Sequence, residues 1–156
     1  MTARFQPQGL YPTLGDHEQR IQGLEASGPA STSVKNIQAV ISSPAVALSL
    51  SDYCLFFVSP DLDGWYVTNA QAYLGDPAAT DPVEVDIFNG TQDVSMLTGY
   101  LTIAVGEGCS LTAAADGLLT GIALASCDRL AIYPNTTDAQ AQGLSVWIEF
   151  SQAPRV

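Results

Sequence analysis

The sequence predicts a mainly β protein: an antiparallel β-sandwich preceded by an extended arm and one short N-terminal helix. Three observations predict it. From Ser33 onward apolar residues recur with period two, as in Val83, Val85 and Ile87 or Leu144, Val146, Ile148 and Phe150. That spacing lays one face of a strand against a core. Turn signals such as Pro60-Asp61-Leu62-Asp63-Gly64, Asn89-Gly90 and Gly106-Glu107-Gly108 separate the apolar runs, giving roughly seven or eight short strands. Helical periodicity of useful length is confined to the residues before the linker at 30–33, although 113–124 is ambiguous.

The chain divides at residue 33, with an arm, helix and linker over 1–33 and the β domain over 34–156. Pro7, Gly9 and Pro12 keep residues 1–13 extended. Phe5, Leu10 and Tyr11 have no periodic apolar neighbours there and are assigned to anchoring on a partner. Asp16 is an N-cap with Gln19 three residues on, and Ser27-Gly28-Pro29 stops the helix. On a heptad frame Leu14 and Ile21 fall at a, His17 and Leu24 at d, Arg20 at g and Glu25 at e. Arg20-Ile21-Gln22-Gly23-Leu24-Glu25 is similar to the Arg-apolar-x-x-apolar-Glu pattern of short parallel trimeric coiled coils. In that arrangement the Arg stem covers the seam and its fork pairs with a neighbour's carboxylate. The competing account is one surface helix packed on its own domain. Helices under about 12–15 residues are marginal alone, and Gly23 costs roughly another 0.5–1 kcal/mol. The helix is therefore expected to set three-fold register, with the β domain contributing most of the association.

Within the β domain, Val46, Leu48 and Leu50 alternate with small or polar residues. Tyr53 to Val58 is a continuous apolar run, expected to be a strand buried on both faces. Trp65 to Leu74 is the longest strand candidate, and its parity shift places a bulge near Thr68-Asn69. Residues 75–82 form a loop with two Asp-Pro steps. Glu84 and Asp86 oppose Val83, Val85 and Ile87, so this strand is expected to be half exposed. Asn89-Gly90 is the strongest hairpin signal. A strand or pair follows over 94–105 with Leu101, Ile103 and Val105 inward, then strands at 118–124 and 130–132. A polar loop covers 135–143, and Leu144 to Phe150 forms a final strand with Ser145, Trp147 and Glu149 outward.

Composition excludes some partners. The net charge is -11 with only five Lys and Arg. No basic patch is available for phosphate neutralisation, so neither nucleic acid nor an anionic membrane is expected as a partner. The longest large-apolar run is Cys54 to Val58, far below the roughly 20 residues of a spanning helix. Met1 to Pro7 lacks an apolar h-region, so synthesis in a reducing cytoplasm is expected. Cys54 reads as a small buried hydrophobe, and Cys109 and Cys127 as thiols in preference to a disulfide.

Catalytic patterns are weak. Asp61 and Asp63 with Gly64 match the start of a calcium loop, but the later ligands are missing and a plain turn accounts for them better. Glu84 and Asp86 lie on one strand face, whereas a glycosidase pair faces across a cleft; solubilising charges are the simpler account. His17 is the only His and lies outside the β domain, and no Gly-x-Ser-x-Gly elbow occurs. No enzyme activity, cofactor or metal is expected. Trp147 and one of Trp65 or Tyr66 are expected to be exposed. Tyr66 and Trp147 are the candidates for a ligand or subunit contact, and for Trp147 a subunit interface is favoured over a glycan platform.

Leu62-Asp63-Gly64-Trp65, Val85-Asp86-Ile87-Phe88-Asn89, Asp93 to Leu97, Leu101-Thr102-Ile103 with Gly106-Glu107, Asp128-Arg129-Leu130 and Gly143-Leu144-Ser145-Val146 together resemble a small jelly-roll domain of tailed-bacteriophage structural proteins. The resemblance covers roughly residues 45–151. It implies a virion protein, assembled in the host cytoplasm, in a decoration, fibre or tail-tip role with the arm as attachment. Cys54, Cys109, Cys127 and Trp147 depart from the pattern, and no catalytic or ligand residue carries over. The expected partners are further copies of the chain in a homotrimer and other virion proteins of capsid or tail. The alternative is a receptor-binding module whose loops 75–82 or 135–142 bind a host surface glycan.

Overall fold

The structure of the protein, a computed structural model, describes residues 33–112 and 119–153. The arm residues Phe5, Leu10 and Tyr11 and the heptad residues Leu14, His17, Arg20, Ile21, Leu24 and Glu25 lie outside them. The strands are β1 (Val34–Val40), β2 (Cys54–Phe57), β3 (Tyr66–Tyr73), β4 (Val83–Asn89), β5 (Val94–Ser95), β6 (Leu101–Ile103), β7 (Arg129–Thr136) and β8 (Ser145–Ser151). Every strand pairing among the described residues is antiparallel. One sheet has the order β1-β8-β3. The other has the order β2-β7-β4-β5, with β6 also paired to β4.

The alternation in β8 explains its central place. Val146, Ile148 and Phe150 are fully buried, while Ser145, Trp147 and Glu149 are half-buried on the other face. β8 pairs with β1 along one side and β3 along the other. From the second sheet Val85, Ile87, Leu101, Ile103, Leu130 and Ile132 turn into the same core, all fully buried. The two sheets meet directly where the Phe56 ring of β2 stacks on Phe150 of β8, with centroids 5.9 Å apart.

Several local expectations hold. The register of β3 on β8 slips between Val67 and Asn69, so a bulge sits at Thr68. The slip restores the inward parity that Trp65 and Val67 share with Ala70 and Ala72. Asn89-Gly90 opens the hairpin between β4 and β5. Its loop is Gly90 to Asp93, because the Asn89 side-chain oxygen accepts the Thr91 and Gln92 backbone N–H groups at 3.1 and 3.2 Å. None of the three cysteines is in a disulfide.

Other expectations need correction. β2 is not buried on both faces: it is the edge of its sheet, and Tyr53, Leu55 and Phe57 are 62, 47 and 61% exposed. Residues 46–50 form no strand; Leu48 is buried while Val46 and Leu50 are exposed. Val105 points outward, beyond the end of β6. The described part of 118–124 makes only single bridges, Leu119 to Leu97 and Ala123 to Tyr66. β7 continues through Pro134, and its last two residues, Asn135 and Thr136, fall where a loop was expected. β2 reaches only to Ile132 on that side, so Pro134 needs no donor toward β2. The register against β4 shifts at Glu84, whose N–H goes instead to Thr136 Oγ1 at 3.0 Å.

Asp128, only 1% exposed, joins the β4–β5 hairpin to the start of β7. Its Oδ2 accepts from Asn89 Nδ2 at 2.7 Å, Gln92 Nε2 at 2.6 Å and the Ala125 N–H at 2.8 Å. Burial pushes its pKa up, but these three donors outweigh it and hold the carboxyl below its ordinary value of 3.8. Its stabilisation is therefore complete above that value and is lost as pH falls through the lower folded-state value. Asp128→Ala is expected to cost about 2–3 kcal/mol in urea unfolding at neutral pH. The same variant is expected to lose less stability than the parent between neutral pH and pH 3; an equal loss would remove Asp128 from the acid response.

Candidate functional site

The outer faces of the two sheets differ in chemistry. On the three-stranded sheet, Trp147 of β8 pairs with Gln38 of β1 on one side and Gln71 of β3 on the other. In the next rows Ser145 pairs with Tyr73, and Glu149 pairs with Asn69. Period two directs all of these side chains outward. They frame an open groove of about 470 Å³ lined by Gln38, Asn69, Gln71, Tyr73, Ser145 and Trp147. Tyr73 Oη donates to Gln71 Oε1. Among the described residues, the side chains of Gln38, Asn69 and Trp147 have no hydrogen-bond partner. Glu149 beside the groove is engaged by Thr68 Oγ1, which donates to it at 3.2 Å.

The five-stranded sheet presents apolar groups at its β2 edge. Tyr53, Leu55 and Phe57 share one parity, and Leu55 pairs with Ala131 of β7, which pairs with Phe88 of β4. Farther across this face Asp86 is buried, not a solubilising charge. Ser95 Oγ donates to its Oδ1 at 2.6 Å and the Ile87 N–H at 2.8 Å, and Tyr133 Oη donates to Oδ2 at 3.4 Å. Burial, then the Asp86 charge, pushes the Tyr133 hydroxyl above its ordinary range. A smaller hollow of about 210 Å³ lies here beside Ser95 and Tyr100. Glu84, half-buried, accepts from Asn135 Nδ2 at 3.3 Å.

Trp147 is on an outer face, as its parity predicted, but is half-buried, not exposed as expected. Tyr66, half-buried, is on the same sheet but pairs with Ser151, four residues along β8 from Trp147, and does not line the groove. Trp65 is buried, with the Lys35 ammonium 5.0 Å above its ring. Asp61 pairs with Lys35 at 4.0 Å, and Asp63 Oδ1 accepts the Ser126 N–H at 2.8 Å. Both therefore have structural partners, and no group of three potential metal ligands occurs among the described residues. The amides around Trp147 were missed. Their signal was present as outward parity at 38, 69 and 71, but only the strand order brings them together.

The loops at 75–82 and 137–142 hold each other. Gly75 and Asp76 donate to the Gln142 carbonyl at 2.9 and 3.2 Å. Asp138 accepts the Thr80, Asp81 and Gln140 N–H groups at 2.8, 3.1 and 2.7 Å, which holds its carboxyl far below the ordinary range. This laced pair stands next to the Tyr73–Ser145 end of the groove. Comparison with family models, with curated proteins and with solved structures returned no match to this chain.

Proposed function

We propose that this chain is a non-enzymatic structural protein of a tailed-phage virion: a homotrimeric capsid-decoration or fibre protein, held by its N-terminal arm and displaying a jelly-roll domain. The observation that carries the assembly reading is the apolar β2 edge. Tyr53, Leu55 and Phe57 stay substantially exposed beside half-buried Ala131 and Phe88. A contiguous apolar row of this kind is what a subunit contact buries. Full burial of a Leu or Phe side chain contributes about 1.5–3 kcal/mol, so three copies of this edge give a trimer a driving force that the short heptad lacks.

The strand order supports the jelly-roll reading. A jelly roll places its first, eighth and third strands beside one another in one sheet, and its second, seventh, fourth and fifth in the other. The orders β1-β8-β3 and β2-β7-β4-β5 follow that rule. β6 continues the return path of β5 along β4, and Cys109, bridged to Tyr73, stands where the remaining strand would flank β3. The phage assignment itself rests on the sequence resemblance, which this order supports.

The full chain is expected to sediment as a trimer, and Leu55→Ser with Phe57→Ser as a smaller species with the fold retained. In the full chain, Phe5→Ala with Leu10→Ala and Tyr11→Ala is expected to leave a folded trimer missing from purified particles. A parent chain of single-subunit mass, or an arm variant found on particles in parental amount, would overturn the corresponding half of the reading.

A further inference from the structure

We propose that the groove centred on Trp147 is a carbohydrate site that takes a neutral hexose oligosaccharide. The inference stands independently of the virion reading. Three features of the groove converge on that ligand. The first is an aromatic platform: Trp147 lies mid-strand on β8 between two paired strands, which fix its backbone and direct its side chain to the outer face. The face of an indole is electron-rich and apolar. It suits the flank of a pyranose ring, whose C–H groups carry slight positive charge.

The second feature is unused hydrogen-bonding capacity. Gln38 and Asn69 each carry an amide with two donors and an acceptor, and neither side chain has a partner among the described residues. Gln71 accepts from Tyr73 through Oε1, which leaves its NH₂ as an unused donor. Sugar hydroxyls both donate and accept, so amides match them better than fixed charges do. The third feature is charge. None of the six lining residues is an acidic or a basic residue, and the chain as a whole carries -11. An acidic glycan meets no cation here and is repelled by the surrounding field. The groove volume of about 470 Å³ falls within the usual range for small-ligand sites, about 300–1,000 Å³.

The competing occupant is a second copy of this chain. Covering the groove with protein would desolvate several amides, each of which then needs a matched partner. The apolar row at β2 offers a second copy a face without that penalty. The sugar site therefore belongs to the sheet face, and the laced loops 75–82 and 137–142 stand next to one of its ends as a rigid neighbour.

The test is titration of the full chain, followed by tryptophan fluorescence and calorimetry. The probes are neutral oligosaccharides of four to six units built from glucose, galactose, mannose, rhamnose or N-acetylglucosamine. At least one is expected to bind saturably with a change in indole emission, since Trp65 is buried and Trp147 is the accessible indole. Trp147→Ala is expected to weaken binding about tenfold or more, and Trp147→Phe to retain most of it. Gln38→Ala and Gln71→Ala are each expected to weaken it about two- to tenfold, the value of one net hydrogen bond. All four variants should keep the parental melting temperature within a few degrees and the parental sedimentation mass. Three outcomes overturn the proposal: no binding across the panel, binding indifferent to Trp147→Ala, or a fall in oligomeric mass in Trp147→Ala, which would assign the groove to a second copy.

Discussion

Phe150→Ala is expected to destabilise the β domain by about 3–5 kcal/mol. Phe150 is fully buried near the end of β8, the strand that both β1 and β3 pair with. Its ring meets Phe56 from the other sheet at 5.9 Å. Truncation therefore removes a contact between sheets as well as apolar burial, and it leaves a hole that a closely packed interior fills poorly. Small domains have net stabilities of about 5–15 kcal/mol, so this single change consumes a large part of the total. Urea denaturation followed by circular dichroism measures it, with Phe150→Leu as the companion at about 1–1.5 kcal/mol because more volume is kept. A loss below about 1 kcal/mol for Phe150→Ala would mean that the two sheets do not depend on this contact.

Gly143→Ala is expected to cost about 2–4 kcal/mol, through two separable causes. Gly143 has φ +68°, a left-handed conformation that a side chain resists. A β-carbon there would also stand 3.0 Å from Pro44 Cα and 3.3 Å from Gly75 N. Three distant segments converge at this point: the connection after β1, the loop after β3 and the loop before β8. Gly64 provides the control. Its φ is +73°, but a β-carbon there meets nothing within 4 Å. Gly64→Ala should therefore cost only the conformational share, about 1–2 kcal/mol. Denaturation midpoints for the two variants separate strain from crowding, and equal losses would show the junction at Gly143 to be loose.

Legibility in the sequence followed how local the cause was. The inward set of β8, the bulge in β3 and the hairpin after β4 each depend on neighbours a few residues apart, and each was readable. β2 misled because a continuous apolar run looks alike in a central strand and at an exposed edge; only the order of strands distinguishes them. Asp86 was misread because its covers, Ser95 and Tyr133, arrive from other strands. The groove was half legible for the same reason. An outward Trp147 follows from parity, but Gln38, Asn69 and Gln71 become its neighbours only once β1 and β3 flank β8. The arm and heptad residues lie outside the described residues, and their roles remain proposals.

Two of the sheet edges, β1 and β2, have different defences against stray pairing. β1 carries Lys35, a charge that discourages a second strand from docking alongside. β2 carries no charge over Cys54–Phe57 and shows large apolar groups. Its protection is brevity: four residues, with Pro60, which cannot donate to a growing ladder, three positions beyond its end. On the proposed trimer reading, a newly made chain is in a race, in which its partner copies must cover that edge before another unfinished chain does. On that reading the order in which copies meet during synthesis governs the yield of soluble protein, and crowded overproduction favours the wrong encounter.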